Sequence, residues 1–299
     1  MSTPVLPRIL LKFGPLASFV CLCISLGVKP AFPLAYTGNP LDYTGTGHFL
    51  VNNLGGTQGF GEYAQPGVDD TSWQIDVSSV FESGFNYFGS TYSGSTGLYI
   101  GSNGYITFGT GLSGYDPSGI SGSTTPIIAL HYTDVDTAKT TASYDPTGNS
   151  TGTNKIYYDL DPINDVVTIT FDDVWPYSGT PSNANAYQVR FWDFDDGDFG
   201  IEFRYEDLVW GRSGTSAYGT AGWSAGDLTN YAEVPGSGTI DIESIETASN
   251  IGQPGVFFWT VQGGTIPNPN PVPLEVDGTI GLGTLALLWL IQKFRLQQS

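Results

Sequence analysis

GLYIGSNGYITFG, from Gly97 to Gly109, is the stretch that decides the fold. Two runs that alternate large and small residues flank Asn103-Gly104 in its middle. Asn-Gly is the strongest short signal for a β-hairpin, because both central residues of a type I′ turn need a positive φ. A two-residue turn here predicts a register in which Tyr99 lies opposite Phe108. The stretch therefore predicts two antiparallel strands joined by a tight turn.

Strand signals of the same kind recur along the rest of the chain, without a convincing helical stretch between them. The 40 Gly and 19 Pro, with 17 Tyr and 17 Phe, suit short strands joined by turns. The sequence thus predicts an all-β protein whose antiparallel sheets form a sandwich-like arrangement. Besides the hairpin, the predicted strands are Pro126–Leu130, Lys155–Leu160, Val166–Phe171, Tyr187–Phe194, Phe199–Leu208 and Val256–Val261.

The charge of the chain argues against several classes of partner. Its 29 acidic residues outnumber its 10 basic residues, which gives a formal net charge of -19 at pH 7. A surface this negative repels phosphate backbones and anionic lipid headgroups. We therefore expect no nucleic-acid partner, and we expect an extracellular protein that stays soluble and attracts cations.

Residues 1–35 have the pattern of a secretory signal peptide. Arg8 and Lys12 precede an apolar run from Phe13 to Val28, and a small-residue ending places cleavage after Ala35. A transmembrane anchor is the alternative, but the run is shorter than the ~20 residues that a bilayer requires. Both cysteines of the chain, at positions 21 and 23, fall inside this leader. The mature protein is therefore expected to contain no thiol.

The other end of the chain has the pattern of a sorting tail. Residues 263–277 form a Pro/Asn-rich linker with an acidic motif, and residues 278–299 combine a short apolar helix with a basic end. This order resembles the bacterial PEP-CTERM class of tails, although Pro273-Leu274-Glu275 stands where the commonest form has Pro-Glu-Pro. The resemblance implies recognition and removal by an exosortase-type processing enzyme. A simple tail anchor is the alternative, and either would hold the exported protein transiently or permanently at a membrane.

Five sequence blocks in the body of the chain carry a further resemblance. Taken in order along the chain, they resemble a nidogen-like (NIDO) domain, from about Val80 to Gln262. We therefore predict a domain over residues 80–262, with a Gly-rich segment over residues 36–79 that packs on it. The blocks are GLYIGSNGYITFG (97–109), PIIALHYTDVDT (126–137), VVTITFDDVWPY (166–177), NAYQVRFWDFDDGDFGIEFRYEDLVW (185–210) and AGWSAGDLTNYAEVPGSGT (221–239).

The resemblance implies an extracellular and non-catalytic role. Nidogen-like domains occur in basement-membrane nidogen, tectorin and membrane mucins, and bacterial members commonly carry sorting tails. The chain departs from the family at Leu130-His131-Tyr132, where Pro-Phe-Trp is frequent. The family supplies no catalytic residues, so we expect no enzyme. We expect a cell-surface or matrix protein that acts in cell–matrix adhesion or as a scaffold, with an extracellular glycan or matrix protein as its partner.

An acidic pair at the end of a predicted strand supplies the first candidate metal ligands. Asp134 and Asp136 follow an apolar run, and carboxylates at i and i+2 of an extended chain share a face, as a hard-cation site requires. Ca²⁺ needs six or more oxygens, and the alternative is a strand-end turn in which aspartate caps local amides. Apart from weakly held Ca²⁺, no cofactor is expected.

The stretch WDFDDGDFG, from Trp192 to Gly200, supplies a second group of carboxylates. The Asp-Gly at its centre is a two-residue turn signal, which predicts that Asp195 lies directly opposite Asp198. Asp193, Asp195 and Asp198 would then share one face, and facing like charges destabilise a strand pair. We therefore expect this tip to be frayed, or to be relieved by salt or by a loosely held divalent cation.

Aromatic residues and histidines supply the remaining candidates. Trp175 and Tyr177, beside an acidic pair, could stack on a sugar ring, and a core position is the alternative. A carbohydrate-binding, lectin-like module would expose Trp175, Tyr177 or Trp223 together on a rim. A glycoside hydrolase would hold two carboxylates roughly 5–10 Å apart in a cleft. The two histidines are His48 and His131, and His131 has the neighbours of an ordinary strand position, so no catalytic residue is assigned.

Overall fold

The structure of the protein is a computed structural model that describes residues 47–117, 119–140, 145–178 and 184–266. The predicted signal peptide (1–35), the beginning of the predicted Gly-rich segment (36–46) and most of the predicted linker and sorting tail (267–299) lie outside the described residues. In the part of the chain that is described, no helix is long and apolar enough to cross a membrane.

The described residues form strands and two short 3-10 helices, Ile120–Gly122 and Ile240–Glu246. Numbered along the chain, the strands are β1 (Tyr63–Ala64), β2 (Ser72–Ile75), β3 (Phe85–Tyr87), β4 (Ser90–Tyr92), β5 (Leu98–Gly101), β6 (Tyr105–Phe108), β7 (Ile127–Tyr132), β8 (Lys155–Asp161), β9 (Val166–Val174), β10 (Asn185–Asp193), β11 (Phe199–Leu208), β12 (Thr220–Ser224), β13 (Tyr231–Glu233) and β14 (Val256–Val261). Sheet A has the order β1-β8-β9-β10-β11-β14, sheet B has the order β13-β12-β7-β6-β5-β2, and β3 pairs with β4. Neighbours in each sheet run antiparallel.

The predicted strands are confirmed. β11 and β14 have the predicted bounds, and β7, β8 and β10 differ from prediction by one or two residues at an end. The largest difference is in β9, which ends at Val174 and not at Phe171. All residues of β9 are buried, because both faces of this strand are covered. A strand buried on both faces lacks the alternation of polar and apolar residues that marks where a half-buried strand stops.

Side chains from the two sheets meet in one core. Phe85, on the β3–β4 hairpin, contacts Phe108 of sheet B and Phe199 of sheet A, with ring centroids 5.4 and 5.2 Å away. Farther along, the Tyr205 hydroxyl of sheet A donates a hydrogen bond to the Leu130 carbonyl of sheet B at 2.8 Å. All five of these side chains are fully buried or nearly so. The predicted sandwich-like, all-β architecture is therefore confirmed.

The register predicted for the β5–β6 hairpin is wrong by one residue. Gly101 pairs with Tyr105 and Leu98 pairs with Phe108, so the loop has three residues and not two. Gly104 closes this loop at a φ of 80°, and a Cβ there would lie only 2.3 Å from the carbonyl oxygen of His131. Asn-Gly serves a three-residue loop as well as a two-residue one, since both need a residue with positive φ near the end.

The predicted register of the β10–β11 hairpin is wrong for the same reason. Asp193 pairs with Phe199, and the N–H of Phe194 donates to the carbonyl of Asp198 at 3.0 Å. The loop between them again has three residues, 195–197, all with positive φ. Asp195 therefore does not face Asp198. The facing like-charge pair that was expected to fray this tip does not form, because Asp195 lies in the loop, where its carbonyl accepts from the N–H of Asp198 at 2.9 Å.

Residues 47–61, here called the strap, cross the outer face of sheet A. Leu50 and Phe60 are fully buried against that face. The backbone of the strap bonds to side chains of the sheet: Arg204 Nη1 donates to two strap carbonyls, and Gln188 exchanges two hydrogen bonds with one strap residue. The strap therefore covers sheet A without adding a strand to it.

The edges of both sheets are short or capped. Sheet B ends in β13, which has three residues, and β2, which has four, while β1 at one edge of sheet A has two. The longer edge strand, β14, is capped in its middle by Asn250. Its side-chain amide donates to the Phe258 carbonyl and accepts from the Phe258 N–H, both at 2.8 Å. Little continuous unpaired backbone is left at these edges.

Candidate functional site

Four loops meet at one end of the sandwich and bring carboxylates together. Asp69 and Asp70 precede β2, and Asp134 follows β7. One oxygen from each of the three lies within 4.8 Å of the others. These residues, with Tyr115 and Tyr177, line a cavity of about 280 Å³, here called the acidic pocket. The two tyrosines are 51% and 52% exposed, so their rings are open to solvent.

Asn103, in the β5–β6 loop, positions two of the three carboxylates. Its side-chain N–H donates to Asp70 Oδ1 at 2.9 Å, and its side-chain oxygen accepts from the N–H of Val135 at 2.8 Å. The segment is also held from the other side, since the Asp134 carbonyl accepts from the N–H of Tyr177 at 3.0 Å. The Asn-Gly turn that defines the hairpin therefore also builds the acidic pocket.

Burial and mutual repulsion raise the proton affinity of the pocket. Partial burial, with the charges of Asp70 and Asp69, raises the pKa of Asp134 to about 6. Burial, followed by the charges of Asp70 and Asp136, also raises the pKa of Asp69. Lys139 opposes both shifts, but its Nζ also donates to two backbone carbonyls, at 2.6 and 2.5 Å. Three carboxylates beside one ammonium group leave the pocket negative.

The acidic pocket is suited to a hard cation or to a cationic group of a partner. Ca²⁺ prefers carboxylate and carbonyl oxygens and takes six to eight of them, so three carboxylates would leave positions for water or for a ligand. Within the described ranges, this is the one group of three or more Asp, Glu, His or Cys side chains close enough to share an ion.

Of the predicted metal ligands, the structure places only Asp134 in this group. Asp136 lies nearby, but its Oδ1 accepts from the N–H of Ala138 at 2.8 Å, as in the strand-end turn that was the alternative. Asp69 and Asp70 are missed by sequence reasoning. They stand in a Gly-rich stretch without a strand pattern, and nothing local to them indicates that β7 ends beside them.

Asp193, Asp195 and Asp198 lie at the opposite end of the sandwich, at the β10–β11 loop. Asp193 Oδ1 accepts from the N–H of Asp195 at 2.9 Å, and Asp198 Oδ1 accepts from the N–H of Gly263 at 2.7 Å. These carboxylates thus hold their own loop and a neighbouring turn. They do not belong to the group of described carboxylates that could share an ion.

The predicted aromatic ligand contacts separate in the structure. Trp175 is only 3% exposed and Trp223 only 2%, so neither ring offers a face to a ligand, and the prediction for Trp175 is wrong. Tyr177, two residues after Trp175, is the one that reaches the acidic pocket. Its unpredicted partner is Tyr115, which comes from the loop after β6. The three aromatics that would mark a lectin-like rim are therefore not exposed together.

His131 is a core residue. It is fully buried on β7, its ring lies 5.1 Å from that of Trp210, and burial lowers its pKa to about 3. Its Nδ1 lies 3.4 Å from the side-chain nitrogen of Asn185. His48 packs against Phe49 in the strap, with ring centroids 4.8 Å apart and the rings tilted by 36°. A fully buried imidazole that stays neutral cannot reach a substrate, so His131 is not a general base for hydrolysis.

Curated relatives match parts of the chain. It is 29% identical over 193 residues to Dendrite extension defective protein 1 of Caenorhabditis elegans, an alignment that covers 58% of this chain and 15% of the relative. It is 28% identical over 125 residues to alpha-tectorin of Gallus gallus, covering 38% of this chain and 6% of the relative. Alpha-tectorin of Homo sapiens is 29% identical over 118 residues. The chain thus spans a small part of the length of these relatives.

The family comparison agrees with the residue blocks. No solved structure matches the chain. A family model does: the Nidogen-like domain matches residues 96–263, which include β5 to β14, the hairpin that builds the acidic pocket, and Asp134. The chain belongs to the nidogen-like domain family.

Proposed function

We propose that the protein is an exported extracellular module for cell–matrix adhesion or matrix scaffolding. The observation that carries the proposal is the family match over residues 96–263, because nidogen-like domains occur in proteins of matrices and cell surfaces. The net charge of -19 supports the same role, since it keeps the protein soluble outside the cell and favours cationic contacts. The role requires binding and no catalytic residue.

The acidic pocket is the surface that we propose for partner contact. Tyr115 and Tyr177 present half-exposed rings beside carboxylates, with Lys139 Nζ over the Tyr177 ring at 5.8 Å from its centroid, and such rings bind sugar rings and cationic side chains. Ca²⁺ held weakly by Asp69, Asp70 and Asp134 would offer its open coordination positions to hydroxyl or carboxylate groups of a partner. The proposed partner is an extracellular glycan or a matrix protein.

Binding of the protein to the matrix of its native cells is expected to depend on the acidic pocket. We expect Tyr177→Ala and Asp70→Asn each to weaken this binding roughly tenfold, because an interfacial aromatic or charged contact contributes about 1–3 kcal/mol. Chelation of calcium should weaken binding of the unmodified protein in the same assay. The measurement is the Kd on immobilised matrix and on a glycan array, with calcium and with chelator.

Matched controls come from the far side of sheet B. Tyr231→Ala removes a tyrosine that is 41% exposed on β13, and Asp227→Asn removes an exposed carboxylate; neither should change the Kd. An equal loss in the control and pocket variants would contradict the proposed site. If binding is unchanged in the presence of chelator, calcium is not needed, and the acidic pocket remains the proposed contact surface. Binding confined to a sugar would favour the lectin-like alternative, and cleavage of that sugar would favour a glycoside hydrolase.

We also propose that both ends of the chain serve export. The residue pattern of 1–35 supports a signal peptide cleaved after Ala35, and that of 263–299 supports a tail processed by an exosortase-type enzyme. Intact-mass spectrometry of the protein from its native cell is expected to show a chain that begins at Tyr36 and lacks residues 278–299. A mature product that keeps residues 278–299 would contradict processing and favour a permanent anchor.

A further inference from the structure

Buried carboxylates hold one loop of the protein by its backbone N–H groups and by its threonine hydroxyls. All five N–H groups from residue 149 to residue 153 donate to carboxylates. Glu206 accepts two of them, at 2.9 and 2.7 Å, Asp172 accepts two, at 2.7 and 3.3 Å, and Asp173 accepts one, at 2.6 Å. Asp207 accepts from the Thr147 hydroxyl at 2.5 Å. We call residues 147–153 and these four carboxylates the clasp.

The clasp concentrates negative charge away from solvent. Asp172 and Asp173, at the end of β9, are fully buried, and Glu206, near the end of β11, is 4% exposed. Within the described residues, Arg190 and Arg204 form ion pairs with Glu202, which lies outside the clasp. The backbone N–H groups of the loop, together with the hydroxyls of Thr151 and Thr153 that donate to Asp172, compensate this charge.

The charged groups around the clasp do not neutralise it. Lys155 of β8 lies opposite Asp172 in the sheet register, but its Nζ donates to the Thr137 carbonyl at 3.2 Å. The 3-10 helix that packs on β11 contributes Glu246, whose own pKa is raised by burial and by Asp207. His48, in the strap, packs its ring on a neighbouring phenylalanine. The neighbouring groups are thus a lysine that bonds to a backbone carbonyl, a further carboxyl group and a histidine that packs on a phenylalanine, and none of them pairs with a clasp carboxylate in the contacts described above.

The clasp also holds the strap on sheet A. Glu206 Oε2 accepts from the N–H of Leu50 at 2.7 Å, and the side-chain amide of Asn149 donates to the carbonyl of Leu50 at 2.7 Å. The fit around Glu206 is close, since a Cβ on Gly148 would lie 2.6 Å from its carboxyl carbon. Any loosening of residues 147–153 would therefore loosen the strap where Leu50 is buried.

Asp173 is the member of the clasp with the most strongly raised proton affinity, although burial also raises the pKa of Glu206. Its Oδ2 accepts from the N–H of Gly152, whereas its Oδ1 is buried without a hydrogen-bond partner among the described residues. Burial, with the charges of Asp172 and then Asp207, raises the pKa of Asp173 to about 7, although the Gly152 N–H and the nearby Ser150 side chain oppose the shift. A proton on Oδ1 would remove one buried charge and supply a donor beside Asp172, without removing the hydrogen bond to Gly152.

From this arrangement of a buried, half-partnered carboxyl group beside two like charges, we propose that the clasp is a pH-responsive device that tightens residues 147–153 and the strap as the medium is acidified. Protonation of Asp173 is the step that closes it. The direction follows from linkage: a closed clasp that binds a proton more tightly than an open one is favoured at low pH. The extra stability of the closed clasp is fully present below the ordinary aspartate pKa of 3.8, and it is lost as the pH rises through about 7.

Hydrogen exchange at single amides of the full chain tests the proposal. We expect the protection factors of residues 149–153 to rise at least tenfold between pH 8 and pH 5, since one coupled proton changes an equilibrium up to about tenfold per pH unit. Asp173→Asn should keep these amides protected at both pH values and abolish most of the rise. If Asp173→Asn does not fold, Asp207→Asn should retain the rise but move its midpoint to lower pH.

Two references separate the clasp from a general effect. The amides of Thr229 and Asn230 donate to the exposed carboxylate of Asp227, at 2.9 and 2.7 Å. Their protection factors should not show the rise between pH 8 and pH 5 that is expected for residues 149–153. Asp159, on β8, is another carboxyl group outside the clasp, and burial raises its pKa to about 6. Asp159→Asn should leave the pH-dependent rise in the protection factors of residues 149–153 intact. Protection that is flat with pH, or equally steep in Asp173→Asn, would overturn the proposal.

Discussion

The melting temperature of this protein is expected to rise by about 5 °C when the pH is lowered from 8 to 5. The cause is a set of carboxyl groups that folding buries. Burial, reinforced by neighbouring carboxylates, raises the pKa of Asp134, Asp159 and Asp193 to about 6 and that of Asp173 to about 7, from 3.8. At pH 8 the folded protein therefore carries charges that it holds less favourably than the unfolded chain does.

The sign follows from proton linkage. A carboxyl group whose pKa is raised by folding contributes stability that is fully present below 3.8 and is lost as the pH rises through 6 to 7. His131 acts in the opposite direction, because burial lowers its pKa from 6.5 to about 3. Between pH 6.5 and pH 3 the imidazole is protonated in the unfolded chain but neutral in the folded protein, which lowers the free energy of unfolding. Four carboxyl groups outweigh one histidine throughout the range from pH 8 to pH 5, so we expect stability to rise across this range as the pH is lowered.

Thermal unfolding at constant ionic strength, from pH 4 to pH 9, measures this effect. Each pKa unit corresponds to about 1.4 kcal/mol, and we expect a smaller contribution per group because most of these carboxyl groups are partly exposed and screened. The net charge of -19 acts in the same direction, so a second series in high salt isolates the buried groups. A melting temperature that is highest at pH 8 in both series would contradict the burial of these carboxyl groups.

Phe199→Ala is expected to destabilise the protein by about 3–5 kcal/mol, the usual cost of emptying a buried aromatic site. Phe199 is fully buried at the start of β11. Its ring centroid lies 5.2 Å from that of Phe85 and 6.3 Å from that of Phe108, so it joins the small hairpin, sheet A and sheet B. For a domain of this size the loss corresponds to a fall in melting temperature of roughly 6–20 °C.

The matched control for this substitution is Ile163→Ala, which shortens a side chain that is 89% exposed at the β8–β9 turn. Surface changes of this kind stay within about 0.5 kcal/mol. Thermal and denaturant unfolding of both variants should therefore separate them clearly. Equal melting temperatures would mean that the two sheets do not pack through Phe199.

The sequence predicts the strands well because their signal is local. Alternation and β-branched residues identify Phe199–Leu208 and Val256–Val261 to the residue. The hairpin registers fail because an Asn-Gly or Asp-Gly pair does not state whether one more loop residue precedes it. In both hairpins that extra residue is polar, Ser102 or Asp195, and a polar residue fits a strand end or a loop equally well.

The candidate site is less predictable because it is assembled from distant segments. Asp134 is identified by its position after an apolar strand, whereas Asp69 and Asp70 become its neighbours only through the pairing of β2 with β5 and of β6 with β7. The burial of Trp175 and the exposure of Tyr177 likewise depend on which loop covers the strand end. Such facts follow from sheet order, and no single stretch of this sequence encodes sheet order.

The short and capped sheet edges determine how the protein behaves when it is crowded. A matrix concentrates its components, and open edge strands of neighbouring copies would then join into fibres. Here a neighbour would find two to four residues to pair with at β1, β13 or β2, and at β14 a backbone already closed by Asn250. Copies of the domain can therefore lie close together without pairing through the edges of their sheets.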